Sequence, residues 1–274
     1  MIQVDELEIF MEKVNSKDGT LIAFDRSGEG PPIILVDGAL CYRASGPMGP
    51  LAKLLAQHFT VYTYDRRGRG DSGNTSPYAV EREVDDIEAL IIAAGGTAFV
   101  FGASSGAALA LEAANRGLAI EKLALYDAPF IVDNSRPPPP EDFVAQLDSL
   151  IALERRGDAV KLFLKLVGVP AIFLVIMRFM PVWSKLTAVA HTLPYDITIT
   201  EDNQRGKPLA ATRWARVNVP TLVADGGKSP VWMRNGMRAL ADILPNAKYR
   251  TLEGQTHIVK AKVHAPVLVE FFNG

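Results

Sequence analysis

The turn Gly-Ala-Ser-Ser-Gly constrains the fold of this chain more than any other feature. An apolar, strand-like run leads into it, and an alanine- and leucine-rich, helix-like run follows at once. The backbone of such a turn is crowded, so the positions two before and two after the residue at its tip must be very small. Gly102 and Gly106 meet that need and place Ser104, not Ser105, at the tip. The Ser104 hydroxyl is therefore predicted to lie at a helix N-terminus, where free N–H groups favour developing negative charge.

Strand and helix patterns alternate on both sides of this turn. Apolar runs typical of strands buried on both faces occur at residues 33–36, 60–64, 122–127 and 219–225. Residues 13–27 read as a hairpin with an Asp-Gly turn. Because helix patterns separate the later strands, we predict an α/β fold with a mostly parallel, doubly wound sheet that helices cover on both faces.

The alternation is interrupted once. The four prolines Pro137–Pro140 are followed by a helical, apolar pattern from residue 141 to about 204, with no clear strand. Within it, residues 166–177 form the longest uncharged apolar run, which is too short for a membrane span and indicates a buried or pocket-lining helix. We therefore predict two units: a core of residues 1–130 and 206–274, and an inserted helical cap of residues 131–205.

Composition excludes several classes of partner. A formal net charge of -2 gives no basic face for nucleic acid. The single cysteine, Cys41, excludes an intramolecular disulfide and is interpreted as a packing residue. Metal-ligand spacing and a dinucleotide fingerprint are both missing, so no metal and no cofactor are expected. Residues 1–10 show no basic region followed by an apolar core, and no membrane partner is expected, so the predicted location is cytoplasmic.

A serine is a weak nucleophile unless a base removes its proton. His257 lies in the loop directly after the last predicted strand, and loops after parallel strands share one sheet edge with the Ser104 turn. We therefore predict that His257 is the base. Of the other histidines, His58 is expected to be solvated and His264 to be a surface or packing residue. His191 in the cap is expected either to be structural or to line the pocket.

Four segments together resemble the α/β-hydrolase superfamily over nearly the whole chain. They are Val36–Ala39 after the third strand, Tyr64–Ser72 after the fourth strand, the Ser104 turn and the loop Gly254–His257. The resemblance implies the α/β-hydrolase fold with its chain order of serine, acid and histidine. It also implies an oxyanion hole made of the backbone N–H groups of Ala39 and Ser105.

The chain departs from the superfamily pattern in two places. Asp37-Gly38 stands where His-Gly is usual, and Ser229 stands where the acid commonly follows the seventh strand. A serine cannot stabilise an imidazolium as a carboxylate does, so a substitute acid is needed. Asp127 is the first choice, because it ends the strand after the Ser104 helix, where certain haloalkane dehalogenases carry their acid. Asp225 at the end of the seventh strand is the alternative, and the absence of any acid is the third possibility.

The predicted function is that of a serine hydrolase acting on a carboxylic ester or lactone with an apolar moiety. Ser104 would form an acyl-enzyme, and His257 would act as the base. The missing acid at residue 229 leaves open a non-hydrolytic enzyme on the same site, such as a cyclase, lyase or acyl transferase. A non-catalytic small-molecule-binding protein is the remaining alternative. The expected partner is a small molecule in every case, and the oligomeric state, monomer or dimer, stays open.

Overall fold

The computed structural model describes residues 10–274. The prediction about a secretory signal concerns residues 1–10, and residues 1–9 lie outside the described part of the chain. Eight strands are described: β1 (Phe10–Asn15), β2 (Leu21–Ser27), β3 (Pro32–Val36), β4 (Thr60–Tyr64), β5 (Ala98–Ala103), β6 (Ile120–Tyr126), β7 (Thr221–Gly226) and β8 (Ala247–Leu252).

These strands form one sheet in the order β1-β2-β4-β3-β5-β6-β7-β8. Strands β1 and β2 form an antiparallel hairpin, and β2 also pairs antiparallel with β4. The six strands β4, β3, β5, β6, β7 and β8 are parallel to one another. The predicted hairpin and parallel sheet are thus confirmed. The sheet order places the carboxyl ends of β3, β5, β6, β7 and β8 along one edge, where a ligand site is expected.

Helices cover both faces of the sheet. The helices are α1 (Met48–Leu55), α2 (Val80–Ala93), α3 (Ser105–Asn115), α4 (Phe143–Ala152), α5 (Arg156–Leu166), α6 (Ala171–Met177), α7 (Val182–Ala188), α8 (Leu193–Thr200), α9 (Val231–Ile243) and α10 (Ala261–Asn273). Alternate residues of β3 enter opposite cores: Ile34 packs with residues of α2, α3 and α9, while Ile33 packs with residues of α1 and α10. This alternation is what a doubly wound sheet requires.

The helices α4 to α8 occupy the connection between β6 and β7, where the helical insertion was predicted. Residues of α4, α5, α7 and α8 share a small apolar core that includes Phe143, Leu147, Val160 and Leu193. Leu40, from the loop after β3, belongs to the same core. The insertion therefore packs directly on the sheet edge that carries the Ser104 turn.

Leu166, Val167 and Met177 line cavities of the protein, as the pocket-lining alternative for residues 166–177 expects, but the alternative of a buried helix is wrong for α6. Only Leu174 is buried there, while Ile172 and Phe173 are 64% and 55% exposed. The physical reason is that an apolar sequence favours burial only where a partner surface exists, and this seven-residue helix contacts α5 on one side. In residues 10–274 no single helix has the length and apolar character of a membrane span, and α6 with α7 meets that criterion only as a pair bent by 96°.

Candidate active site

Ser104 sits at the tip of a sharp turn between β5 and α3. Its backbone is in the left-handed region, with φ 58° and ψ -130°. A Cβ on Gly102 would lie 2.4 Å from the Gly106 carbonyl oxygen, and a Cβ on Gly106 would lie 2.3 Å from the Val36 carbonyl oxygen. Neither position has room for a side chain, so the turn needs both glycines. The strained conformation is maintained by its neighbours and leaves the serine partly exposed.

His257 lies beside this serine. Its Nε2 is 3.1 Å from the Ser104 Oγ, which is hydrogen-bonding distance. The histidine is in the loop between β8 and α10, and its side chain is 39% exposed. The two residues are 153 positions apart in sequence. They meet because the ends of parallel strands share one sheet edge.

Asp127 approaches the other nitrogen of the same ring. Its Oδ2 lies 3.5 Å from His257 Nδ1, and its side chain is completely buried. At that distance the contact is too long for a good hydrogen bond, and Nδ1 has no hydrogen-bond partner among residues 10–274. The Ser229 hydroxyl donates to Asp127 Oδ2 at 2.6 Å, so the serine at the usual acid position binds the substitute acid. His257 therefore lies between Ser104 and Asp127, with a tight contact on one side and a loose contact on the other.

Asp225 is fully buried but is committed elsewhere. The Tyr249 hydroxyl donates to its Oδ2, and Arg234 Nε lies 3.4 Å from the same oxygen. Within the described chain no contact joins Asp225 to His257. The structure thus brings Asp127, and not Asp225, to the ring of His257.

The remaining histidines and the cysteine lie outside this arrangement. His58 is exposed, and His264 is buried edge-on against the ring of Tyr126, where burial lowers its pKa. Burial also lowers the pKa of His191 in the helical insertion. Burial raises the pKa of the Cys41 thiol to about 12, which disfavours the reactive thiolate. No three His, Cys, Asp or Glu side chains cluster at metal-binding distances within residues 10–274.

The two residues expected to supply oxyanion donors lie beside the same cavity. Ala39 and Ser105 line the cavity next to Ser104. Ser105 is the first residue of α3, so its N–H has no acceptor one turn earlier in the helix. Neither N–H makes a hydrogen bond to another residue of the described chain. Two free backbone donors facing the cavity could stabilise negative charge on a substrate oxygen.

A buried ion-pair network holds this side of the site. Asp196, in α8, accepts hydrogen bonds from the Ser105 hydroxyl at 2.7 Å, from Arg66 at 2.6 Å and from Arg69 at 2.7 Å. Arg69 also donates to the Gly38 carbonyl at 2.6 Å. Burial opposes ionisation of Asp196, but Arg69 and Arg66 outweigh it and lower its pKa. The network therefore ties the start of α3 to the loop after β3 through charged hydrogen bonds.

Two of the arginines that follow β4, Arg66 and Arg69, thus have a structural role. Asp196 was not predicted, although one signal was available. It is the first acidic residue after Asp158, at the end of a long stretch that carries only basic charges. A lone carboxylate in such a segment is typical of a buried partner for arginine.

Asp37, which replaces the usual histidine, is also buried. Burial raises its pKa to about 7, although Arg69 and Arg66 act in the opposite direction. One of its carboxyl oxygens, Oδ1, has no hydrogen-bond partner in the described residues. Asp37 also lines the cavity beside Ser104.

Two chambers meet at the Ser104–His257 pair. The outer chamber has a volume of about 600 Å³ and is lined by Asp37, Leu164, Met177, Val182, Leu186 and Ile258, among others. The inner chamber has a volume of about 250 Å³ and is lined by Ile131, Arg136, Leu166, Ile197, Gln204 and Trp232, among others. Ala39, Ser104, Phe163, Val167 and His257 line both chambers. A substrate carbonyl at Ser104 would therefore have one substituent in each chamber.

Residues 21–264 match the model of the alpha/beta hydrolase family, and the chain belongs to this family. An alpha/beta hydrolase structure from Sphaerobacter thermophilus DSM 20745 is 56% identical, covers 95% of this chain and 100% of its own, and superposes with a TM-score of 0.88. The fold and the hydrolase family are therefore established together.

Two other relatives are more distant. The enol-lactonase from Burkholderia xenovorans LB400 is 22% identical over 96% of this chain and 100% of its own, with a TM-score of 0.72, which shows a shared fold. The uncharacterized hydrolase YraK of Bacillus subtilis (strain 168) is 37% identical over 98 residues, or 34% of this chain. This match spans 35% of the length of that curated relative.

Proposed function

We propose that this protein is a serine hydrolase that cleaves a carboxylic ester or lactone with an apolar moiety through an acyl-enzyme. The observation that carries the proposal is the 3.1 Å contact between Ser104 Oγ and His257 Nε2, at the point where the two chambers meet. A serine is made nucleophilic by a base within this distance. The chambers are lined mainly by aliphatic and aromatic side chains, which suit apolar groups on both sides of the carbonyl.

In the proposed reaction, Ser104 Oγ attacks the carbonyl carbon while His257 Nε2 accepts the hydroxyl proton. The negative charge that develops on the carbonyl oxygen is stabilised by the N–H groups of Ala39 and Ser105, each worth about 3 to 4 kcal/mol by analogy with measured oxyanion donors. His257 then donates its proton to the departing alkoxide, and the alcohol leaves. Asp127 stabilises the imidazolium that forms between these two transfers.

Water completes the cycle. With His257 neutral again, its Nε2 accepts a proton from water as the water oxygen attacks the acyl-enzyme carbonyl. The same two N–H groups stabilise the second oxyanion. The proton returns to Ser104 Oγ when the acid leaves, so the enzyme is regenerated. The outer chamber is the larger and more open one, and it would admit this water.

The proposal is tested with a panel of p-nitrophenyl esters of increasing acyl length. Wild-type protein should release p-nitrophenol, and Ser104→Ala should lose about 10⁴-fold or more in kcat/KM. Ser149→Ala is a matched control, because Ser149 is exposed on α4 and only donates to the Ala145 carbonyl. Equal turnover by Ser104→Ala and wild type would refute the proposal.

One observation favours a second candidate, a non-hydrolytic enzyme that uses the same two residues. The 3.5 Å separation of His257 Nδ1 from Asp127, and the Ser229 hydroxyl on the same carboxyl oxygen, are unlike a tight catalytic triad. Such an enzyme would hold its substrate against Ser104 without forming an acyl-enzyme.

For both candidate functions the proposed partner is a small molecule. The cytoplasm is the proposed setting, because a chain with one cysteine has no disulfide to gain from an oxidising compartment.

A further inference from the structure

The inner chamber contains a cation without a carboxylate partner. Arg136, from the segment between β6 and α4, lines this chamber and is only partly exposed. Its guanidinium donates to the Leu166 carbonyl and stacks on the ring of Trp232 at 4.4 Å. Burial lowers its pKa, and no described Asp or Glu offsets that effect. A partly desolvated cation facing a cavity gains free energy when an anion enters.

The same chamber contains an unpaired acceptor. Gln204 is 7% exposed, and its amide orientation is set by a 2.8 Å hydrogen bond from Nε2 to the Pro129 carbonyl. Its Oε1 has no partner among the described residues. Buried polar atoms in folded proteins are almost always hydrogen-bonded, so this oxygen indicates a group that the protein itself does not supply.

Two fully buried arginines of this molecule contrast with the partly exposed Arg136. Arg66 pairs with Glu83 and Asp196, and Arg67 pairs with Asp18 and Asp86. Each of these two has its charge balanced by two carboxylates, as buried arginines normally require. Arg136 is the exception among these three, and it lies where a substrate would lie.

We infer that the inner chamber is a carboxylate subsite: Arg136 binds a carboxylate on the substrate part that enters this chamber, at the far end from the scissile carbonyl. Asp196 also lines this chamber, but its charge is balanced by Arg66 and Arg69. Most of the remaining lining is apolar, so a short hydrocarbon segment would join the carboxylate to the carbonyl at Ser104. This inference rests on the proposed hydrolase function and narrows it to esters or lactones that carry one negative charge.

A purely structural role for Arg136 makes a different prediction. Leu166 is the last residue of α5, and an arginine that donates to a terminal carbonyl stabilises the end of a helix. If that were its whole role, replacing Arg136 would lower stability and would affect charged and neutral substrates equally. A subsite would affect the charged substrate alone.

The test uses two pairs of esters that differ only in charge. The first pair carries the carboxylate on the acyl part: mono-p-nitrophenyl adipate and its methyl-capped diester. The second pair carries it on the alcohol part: the hexanoyl ester of 6-hydroxyhexanoic acid and its methyl ester. We expect wild type to prefer the charged member of one pair, and Arg136→Gln to lower kcat/KM for that member by about 10- to 100-fold. The neutral member should change less than about threefold.

Two further variants distinguish the loss of the Arg136 charge from an effect on folding. Arg136→Lys keeps the charge and should recover part of the lost activity on the charged ester. Arg178→Gln removes an exposed arginine from the same insertion and should leave the charge preference unchanged. Equal losses on charged and neutral esters in Arg136→Gln, or no charge preference in wild type for either pair, would overturn the subsite.

A binding measurement keeps this result independent of catalysis. Calorimetry on the Ser104→Ala protein should show tighter binding of monomethyl adipate than of dimethyl adipate, and Arg136→Gln in that background should abolish the difference. This outcome would support the subsite even if no ester were hydrolysed. Equal binding of the two compounds by Ser104→Ala would overturn it even if wild type hydrolysed many esters.

Discussion

Asp127 and Asp225 end neighbouring strands at the same sheet edge, and both are completely buried, yet only Asp127 approaches His257. The difference comes from residues that other segments supply. Tyr249 from β8 and Arg234 from α9 engage Asp225, whereas Asp127 meets the Ser229 hydroxyl, which leaves it in reach of the histidine. A carboxylate at this edge of the sheet is therefore near His257, but its other hydrogen-bond partners determine whether it approaches the imidazole ring.

Among substitutions of the buried aspartates, Asp127→Asn is expected to lower kcat the most. This variant keeps the shape of the side chain but removes the charge that would stabilise the His257 imidazolium. By analogy with the loss of the aspartate in known serine triads, kcat should fall about 10³- to 10⁴-fold. Initial rates on p-nitrophenyl esters at saturating substrate measure this loss. A decrease of less than about tenfold would mean that His257 works without Asp127.

A second substitution, Ser229→Asp, is expected to restore part of the kcat that Asp127→Asn loses. In the double variant Asp127→Asn, Ser229→Asp, a carboxylate stands on residue 229, whose hydroxyl now lies 2.6 Å from Asp127 Oδ2. The new charge would lie close to His257 Nδ1 and should recover about 10-fold of the kcat lost in Asp127→Asn. Ser229→Asn in the same background is the matched uncharged control. Equal rates for the aspartate and asparagine variants would show that residue 229 cannot supply the acid.

Asp225→Asn is expected to change activity little and to lower stability measurably. This change leaves Arg234 without its carboxylate and weakens the contact with Tyr249, so the free energy of unfolding should fall by about 1 to 3 kcal/mol. The value of kcat should stay within about threefold of wild type. Urea unfolding and ester kinetics on one preparation measure both quantities. A thousandfold loss of kcat in folded protein would reverse the roles assigned to the two aspartates.

Asp37 extends the comparison to a third buried aspartate, whose expected effect is on the pH dependence of stability and not on kcat. Burial raises its pKa to about 7, so the folded protein keeps a proton that the unfolded chain, with an ordinary pKa of 3.8, releases. Between about pH 4 and pH 7 the folded state therefore binds more protons, and stability decreases as the pH rises. Asp37→Asn should remove this contribution, which is at most about 1.4 kcal/mol per pH unit. Urea unfolding of both proteins at several pH values checks the sign, and parallel curves would contradict it.

The sequence predicted those features that depend on local pattern. The Ser104 turn was recognisable because Gly102 and Gly106 are required by backbone contacts, and the mostly parallel sheet was predicted from alternating strand and helix patterns. The proximity of His257 followed from its place after the last strand. Asp127 and Asp225 could not be separated in this way, because both satisfy the same rule of position.

The features that were missed depend on packing between distant segments. Asp196 and Arg136 belong to the helical insertion and its entry segment, and their roles depend on which loops they meet in three dimensions. Of the two alternatives for α6, a buried helix was wrong for the same reason, since residues such as Phe173 have no partner surface within the described chain. Sequence periodicity indicates which residues favour burial but does not show which surface covers them.

The proposed mechanism requires that the Ser104 hydroxyl forms a covalent bond with an electrophile. Intact-protein mass spectrometry after fluorophosphonate treatment measures this reaction directly. Wild type should gain one phosphonyl group, Ser104→Ala should gain none, and His257→Ala should react far more slowly. A folded wild-type protein that stays unlabelled, or a Ser104→Ala protein that is labelled equally, would contradict the proposed acyl-enzyme mechanism.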